Sequence, residues 1–179
     1  MTNTLQIKLL SDNATMPKRE HDTDAGFDIY AAETVVLEPQ EKALIATDIA
    51  VNIPKGYVGL LTSRSGVSSK THLVIETGKI DAGYQGHMQI NIKNDYINLK
   101  EYDEAKIDTN YGDVMYPIYN VDGQAYYDKI YDNPVYKINK GDRLAQLVIV
   151  PIITPELEQV EEFDSESARG EKGFGSSGI

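Results

Sequence analysis

The chain has 179 residues, a formal net charge of −11, no Cys and no Trp. That length suits one domain burying roughly 70% of its unfolded surface, and the missing cysteines exclude disulfides and thiolate chemistry. The acidic charge argues against a general nucleic-acid surface, since phosphate backbones would be repelled; a small polyanion remains acceptable where cations are concentrated locally.

From the N-terminus the pattern is strand-like. Leu5, Ile7 and Leu9 alternate with polar residues, as do Met88, Ile90 and Ile92. Apolar, β-rich runs occupy Val35–Leu37, Ala43–Ile53, Tyr57–Leu61 and Leu144–Val150. Pro39, Pro54, Gly56, Gly78, Gly83 and Gly141 punctuate them at spacings typical of an all-β sandwich or barrel. Helical periodicity is weak, with short pieces expected only after Gly66 and near Leu99–Ile107. Pro151 and Pro155 close the last core strand, and an acidic connector, Glu156–Ser167, leads into a Gly/Ser tail. The expected organisation is a single β domain over 1–168 followed by a flexible C-terminal lid, 169–179.

Asp95–Asp132 stands apart. It holds nine acidic and three basic residues, a net charge of −6, and Tyr-rich runs flank the turn signal Val121-Asp-Gly-Gln124. It reads as an inserted lobe built around a β-hairpin. No apolar run approaches about 18 residues and no basic region precedes an apolar one, so no membrane partner and a cytoplasmic location are expected. His21, His72 and His87 lack the spacing of zinc ligands.

There are four arginines, and three sit in Gly- or Ser-bearing segments: Ser63-Arg-Ser-Gly66, Lys140-Gly-Asp-Arg143, and the tail Arg169-Gly-Glu-Lys-Gly-Phe-Gly-Ser-Ser-Gly178. Arg presents a rigid fork suited to bidentate phosphate contacts. Gly173–Gly178 matches G-x-G-x-x-G, but a dinucleotide fingerprint needs a strand before it and a helix after it, and the sequence stops at Ile179. What remains is a phosphate clamp with one ring for stacking.

Five segments in order carry unusual residue choices: Asp24-Ala-Gly-Phe-Asp-Ile-Tyr-Ala31, Ser63-Arg-Ser-Gly-Val-Ser-Ser-Lys70, Gly78-Lys-Ile-Asp-Ala-Gly-Tyr-Gln-Gly86, Lys140-Gly-Asp-Arg-Leu-Ala-Gln146 and the tail. Together they resemble the five ordered motifs of the trimeric dUTPase family, and the stretch Glu41–Ile49 is similar to the one leading into the second motif. The resemblance covers the chain except Asp95–Asp132, a segment that resembles lobes of phage-borne members, some of which bind repressor proteins. Ser63 departs from the family, where many members have Pro before the Arg.

The resemblance implies a jelly-roll-like all-β protomer, a homotrimer with shared active sites, and hydrolysis of dUTP to dUMP and pyrophosphate with Mg2+. Asp81 would be the base for the water attacking the α-phosphorus; a carboxylate near its reference pKa is already ionised at pH 7. Tyr84 would gate the sugar, and the hairpin Gly83–Ile90, with Gln89, would read uracil. Arg64, Ser65 and Gly66 would bind phosphate oxygens and Gln146 would meet the α-phosphate. Asp142 and Arg143 would support the site, paired across it. Asp28 would hold magnesium through water, since Mg2+ keeps much of its hydration shell. In the tail, Arg169, Gly175, Ser176 and Ser177 would close on the γ-phosphate while Phe174 stacks on uracil, with Lys70 and Lys172 as further cations. The fourteen residues Glu156–Arg169 can span at most roughly 46–50 Å, enough to reach a neighbouring subunit's site. Two other readings stay open: a dCTP deaminase of the same fold, against which the tail motif argues, and a regulatory binding protein acting through 95–132.

Overall fold

The computed structural model describes residues 4–97, 106–107, 114–129, 131–165, 167 and 170. In chain order these form β1 (Gln6–Leu9), β2 (Gly26–Tyr30), β3 (Val35–Leu37), β4 (Lys42–Asn52), β5 (Tyr57–Ser63), α1 (Ser65–Lys70), β6 (Leu73–Ile75), β7 (Gly78–Ile80) and β8 (Met88–Asn94). Then follow β9 (Lys106–Ile107), β10 (Val114–Met115), β11 (Ile118–Tyr119), β12 (Ala125–Tyr126), β13 (Val135–Ile138) and β14 (Arg143–Pro151). The protein is all-β, as expected, and its single described helix has six residues.

Three sheets share one core. Their strand orders are β1-β4-β8-β6, β12-β11-β13-β3 and β2-β14-β5-β7, with a separate β10-β9 pair. The alternation read from sequence sets the inward faces: Met88, Ile90 and Ile92 of β8 are buried while Gln89 is exposed. They join Ile29, Leu37, Ile45, Leu61, Ile138 and Leu147 in one buried cluster to which all three sheets contribute. At about 25 cal/mol per Å² of apolar surface, such a cluster is the main stabilising term. Asn94 closes the inward row of β8 as a buried amide, its Nδ2 donating to the Leu37 carbonyl at 3.1 Å and its Oδ1 accepting from the Tyr96 N–H at 3.0 Å.

The Val121–Gln124 turn is a hairpin loop, with β11 and β12 antiparallel on either side. Asn120 builds it: its Oδ1 accepts the N–H groups of Asp122 and Gln124 at 3.0 and 2.9 Å. The hairpin is not a detached lobe. Strand β11 pairs in parallel with β13, so the acidic segment extends a sheet of the core. Gly123 lies against the end of α1, where an added Cβ would sit 2.2 Å from the Lys70 carbonyl oxygen. The helical expectation near Leu99–Ile107 fails where the chain is described, because Lys106–Ile107 pair antiparallel with Val114–Met115. A weak helical propensity yields to backbone pairing between strands; residues 98–105 lie outside the described set.

Candidate active site

Strand β14 is central in its sheet, bonded to β2 on one side and β5 on the other. Its pairing with β2 carries a register shift between Arg143 and Ala145. Without that bulge, side chains would alternate, and Arg143 and Gln146, three residues apart, would face opposite sides. With it, Leu144 and Ala145 are both fully buried, while Arg143 and Gln146 turn to the same side. What they meet there is Asp28 of β2, which is 3% exposed.

The Asp28 carboxylate gathers three of the motifs. Arg64 Nε donates to its Oδ1 at 2.9 Å, Gln146 Nε2 to the same oxygen at 3.3 Å, and Arg143 Nη1 to Oδ2 at 3.3 Å. Arg64 is the residue before α1; its N–H donates to the Leu144 carbonyl at 3.2 Å, which ties the end of β5 to β14. Glu20, which the sequence did not single out, holds Arg143 from outside at 3.2 Å. Ser65 and Gly66 follow in the first turn of α1, next to this cluster in sequence. Arg19 belongs elsewhere, stacked over the Phe27 ring at 4.1 Å.

One other expected residue takes a different place, and one unexpected residue stands beside the cluster. Asp142 does not pair with Arg143: its Oδ2 accepts the Asn139 N–H at 2.7 Å, closing the β13–β14 turn. Burial, the dominant effect, raises its pKa, and the bonds to Asn139 oppose that rise. Tyr30, unremarked in sequence, buries its hydroxyl without a hydrogen-bond partner, and burial, followed by the nearby Asp28 charge, raises its pKa.

Asp81 and Tyr84 stand on the β7–β8 hairpin, both exposed. The Tyr84 N–H donates to the Asp81 carbonyl at 3.1 Å, and the Tyr84 hydroxyl to the His87 carbonyl at 2.9 Å. Strand β7 pairs antiparallel with β5, Ile80 opposite Gly59 and Gly78 opposite Leu61. Asp81 therefore emerges near Val58, six residues down β5 from Arg64. At about 3.3 Å per residue, Val58 and Arg64 stand about 20 Å apart along the backbone. Gln89 is exposed on β8, paired with Ala46 in the other sheet. Arg169, Lys172, Phe174, Gly175, Ser176 and Ser177 lie outside the described residues. Among the described residues, no group of three or more His, Asp or Glu forms a metal nest.

An all-β chain with two arginines and an amide converging on one strand end, and an exposed carboxylate on a separate hairpin, has the chemistry of a phosphate-binding β-scaffold enzyme. The comparisons narrow it. The dUTPase family profile matches residues 12–104 and 131–178, and the unmatched span falls inside the acidic, Tyr-rich segment. A deoxyuridine 5′-triphosphate nucleotidohydrolase from Mycobacterium marinum is 37% identical, covering 99% of this chain and 97% of the relative. The dUTPase of Staphylococcus bacteriophage 80alpha, solved with dUpNHpp, is similar at a TM-score of 0.85 and 64% identity, covering 99% of this chain and 100% of that one. It is one of the phage dUTPases described as controlling transfer of virulence genes by a proto-oncogenic G protein-like mechanism. A variant of the dUTPase from phage phi11 of S. aureus, described for its coordination of a structural Mg(II) ion, matches at a TM-score of 0.79 and 62% identity, covering 91% of this chain and 100% of that one. This chain belongs to the dUTPase family, and it is an enzyme, a dUTP nucleotidohydrolase.

Proposed function

We propose that this protein hydrolyses dUTP to dUMP and pyrophosphate through water activated by Asp81, in sites shared between three copies of the chain. The observation that carries this reading is the register that sets Asp81 at the far end of β5 from the Arg64–Arg143–Gln146 cluster, about 20 Å away by backbone rise. A base must come within hydrogen-bond reach of its water, and that water within about 3–3.5 Å of phosphorus. One copy holds the two halves too far apart; apposed copies bring the hairpin of one to the cluster of another.

The arm beyond β14 supports the same assembly. Ile153, Leu157 and Phe163 are 91%, 99% and 89% exposed, and a neighbouring copy would cover them. The arm leads to Arg169, Phe174, Gly175, Ser176 and Ser177, which would close over triphosphate and base in a neighbouring site.

In the composite site Arg64, Arg143 and Gln146 bind and orient phosphate oxygens, with Ser65 and Gly66 beside them, and the arginine charge offsets the negative charge that builds during attack. Asp81 takes the proton of the attacking water. Tyr84 lies against the deoxyribose, and the β7–β8 hairpin with Gln89 reads uracil. Bound Mg2+ would supply charge neutralisation and alignment of the phosphates. Asp28 fits only an outer position towards it. A carboxylate offers about four lone-pair sites, three are taken by Arg64, Gln146 and Arg143, and the one left suits a single metal-bound water.

A second role is favoured by the segment 95–132. Its hairpin extends a core sheet, Ile97 and Val114 are exposed at 61% and 40%, and the similar 80alpha enzyme is described as controlling gene transfer. A repressor-type protein bound there would make this dUTPase a regulator as well, acting in a host cytoplasm. Clustered tyrosines suit such a contact.

The decisive experiment mixes two inactive variants, Asp81→Asn and Arg64→Ala, and refolds them together. Shared sites regenerate active centres carrying Asp81 from one chain and Arg64 from another, so roughly a quarter of wild-type pyrophosphate release returns by statistical mixing. Sites contained in one chain give no recovery. Ammonia release from dCTP by the wild type would replace the reading with a deaminase.

A further inference from the structure

Residues Asp81–Gln85 of the β7–β8 hairpin are exposed, and such a segment opens easily when few contacts hold it. We infer that His87 is a positioning residue that fastens this hairpin to a bulge in β4 and so sets the places of Asp81 and Tyr84. The inference rests on the roles given to those two residues above.

The bulge is read from the register. Strands β4 and β8 pair regularly as far as Ala46 opposite Gln89, and pairing resumes at Ile49 opposite Met88, leaving Thr47 and Asp48 as extra residues. Both are tied to the start of β8. The buried Thr47 hydroxyl donates to the Met88 carbonyl. The Asp48 N–H donates to His87 Nε2 at 3.0 Å.

Asp48 has φ +52°, a left-handed conformation that few residues adopt and that Asp accepts when its side chain is hydrogen-bonded. Such a conformation persists where the surroundings over-determine it, and here they do. The Ser11 hydroxyl donates to Asp48 Oδ2 at 2.5 Å, and the Leu10 N–H donates to the Asp48 carbonyl at 2.8 Å. The N-terminal loop thus pins Asp48, and Asp48 presents its N–H to the imidazole.

From His87 the path continues to the reacting groups. Its carbonyl accepts the Tyr84 hydroxyl, and the Tyr84 N–H bonds to the Asp81 carbonyl. Gly86 makes this arrangement possible, because a Cβ there would meet the Tyr84 hydroxyl oxygen at 2.6 Å. The other side-chain tie of the hairpin is an exposed amide pair, Gln85 Nε2 to Asn52 Oδ1 at 3.0 Å.

Accepting the Asp48 N–H requires His87 Nε2 to be unprotonated, with the ring proton on Nδ1. The same Nε2 lies 3.3 Å from Asp48 Oδ1, a contact that needs a proton on Nε2. The two bonds exclude each other, and the neutral ring takes the backbone bond.

The test uses full-length His87→Phe, which keeps a ring and loses the acceptor, and His87→Gln, whose Oε1 can accept the same N–H. Pyrophosphate release is measured with dUTP and UTP, alongside Asp81→Asn. The expected result for His87→Phe is a loss of about 10²-fold in kcat for dUTP, the effect of misplacing a reacting group by about 1 Å. Its preference for dUTP over UTP falls by about five- to tenfold as Tyr84 loosens. His87→Gln restores most of both, and nitrogen NMR of the wild type finds the proton of the neutral ring on Nδ1. Wild-type kcat and selectivity in a folded His87→Phe, or a protonated Nε2 on the neutral ring, overturns the inference. Should His87→Phe fail to fold, Ser11→Ala stands in, with a smaller loss of the same two quantities expected and an unchanged enzyme counting against it. Full turnover in Asp81→Asn would sink the base assignment, while the NMR result still judges the brace by itself.

Discussion

At the scale of single residues, Asp28 holds the arginine cluster together. Its buried carboxylate is the shared counter-charge for Arg64 and Arg143, whose side chains are 25% and 40% exposed. Asp28→Asn leaves the guanidiniums without that charge, at a cost of about 1–3 kcal/mol given their partial exposure. Thermal melting should show a fall of about 2–4 °C per kcal/mol; an unchanged melting temperature would mean the cluster carries no stability. Asp81→Asn should abolish turnover and keep dUTP binding, read by calorimetry beside pyrophosphate release, because the change keeps the shape of an exposed side chain and removes only its charge. Asp142 gives a pH effect of opposite sign to a salt-bridged carboxylate. Burial raises its folded pKa above 3.8, so in the window just above 3.8 the folded state binds more protons than the unfolded one. Stability therefore falls as pH rises through that window. Asp142→Asn, whose Oδ1 can still accept the Asn139 N–H, should flatten that part of the melting profile, and an unaltered slope would refute the assignment.

Among elements, β14 and the acidic hairpin decide most. The bulge after Arg143 turns two side chains three residues apart onto one carboxylate. Spacing alone reads Arg143 and Gln146 as facing opposite sides of a strand, so this convergence was invisible in the sequence. The Asp142–Arg143 pairing failed for a related reason: adjacent residues at a turn diverge, and Asp142 found a backbone donor at hand. The hairpin at Val121–Gln124 was legible because Asn120 and Gly123 supply the local bonds and the positive φ that the turn needs. Its parallel pairing with β13 was not, since a long-range ladder leaves no local signal. Deleting 95–132 should preserve dUTP turnover and remove repressor-type binding. It also strips β11 from β13, so a lower melting temperature is expected with it. Loss of turnover in an assembly that remains intact would instead give the segment a catalytic role.

For the whole molecule, the exposed arm and the proposed sharing of sites are tested together by the tail. A chain truncated after Ala168 keeps Ile153, Leu157 and Phe163 and lacks Arg169 to Ile179. It should assemble as the full chain does, by light scattering, and hydrolyse dUTP far more slowly, since closure over the triphosphate is lost. Full activity in that variant would remove the tail from the site.

The sequence by itself determined what depends on residue identity and local order: the all-β class, the inward faces of the strands, the acidic hairpin, and the five motifs with Asp81, Tyr84, Arg64 and Gln146 among them. Alternation and turn chemistry act over a few residues, and motif spacing is written in the chain. Tertiary structure decided which of those residues meet. It placed Arg64, Arg143 and Gln146 on Asp28, and it put Asp81 at the far end of β5. Register, bulges and strand order do this, and they are fixed by packing across the core, where residues more than a hundred positions apart come within a hydrogen bond of each other.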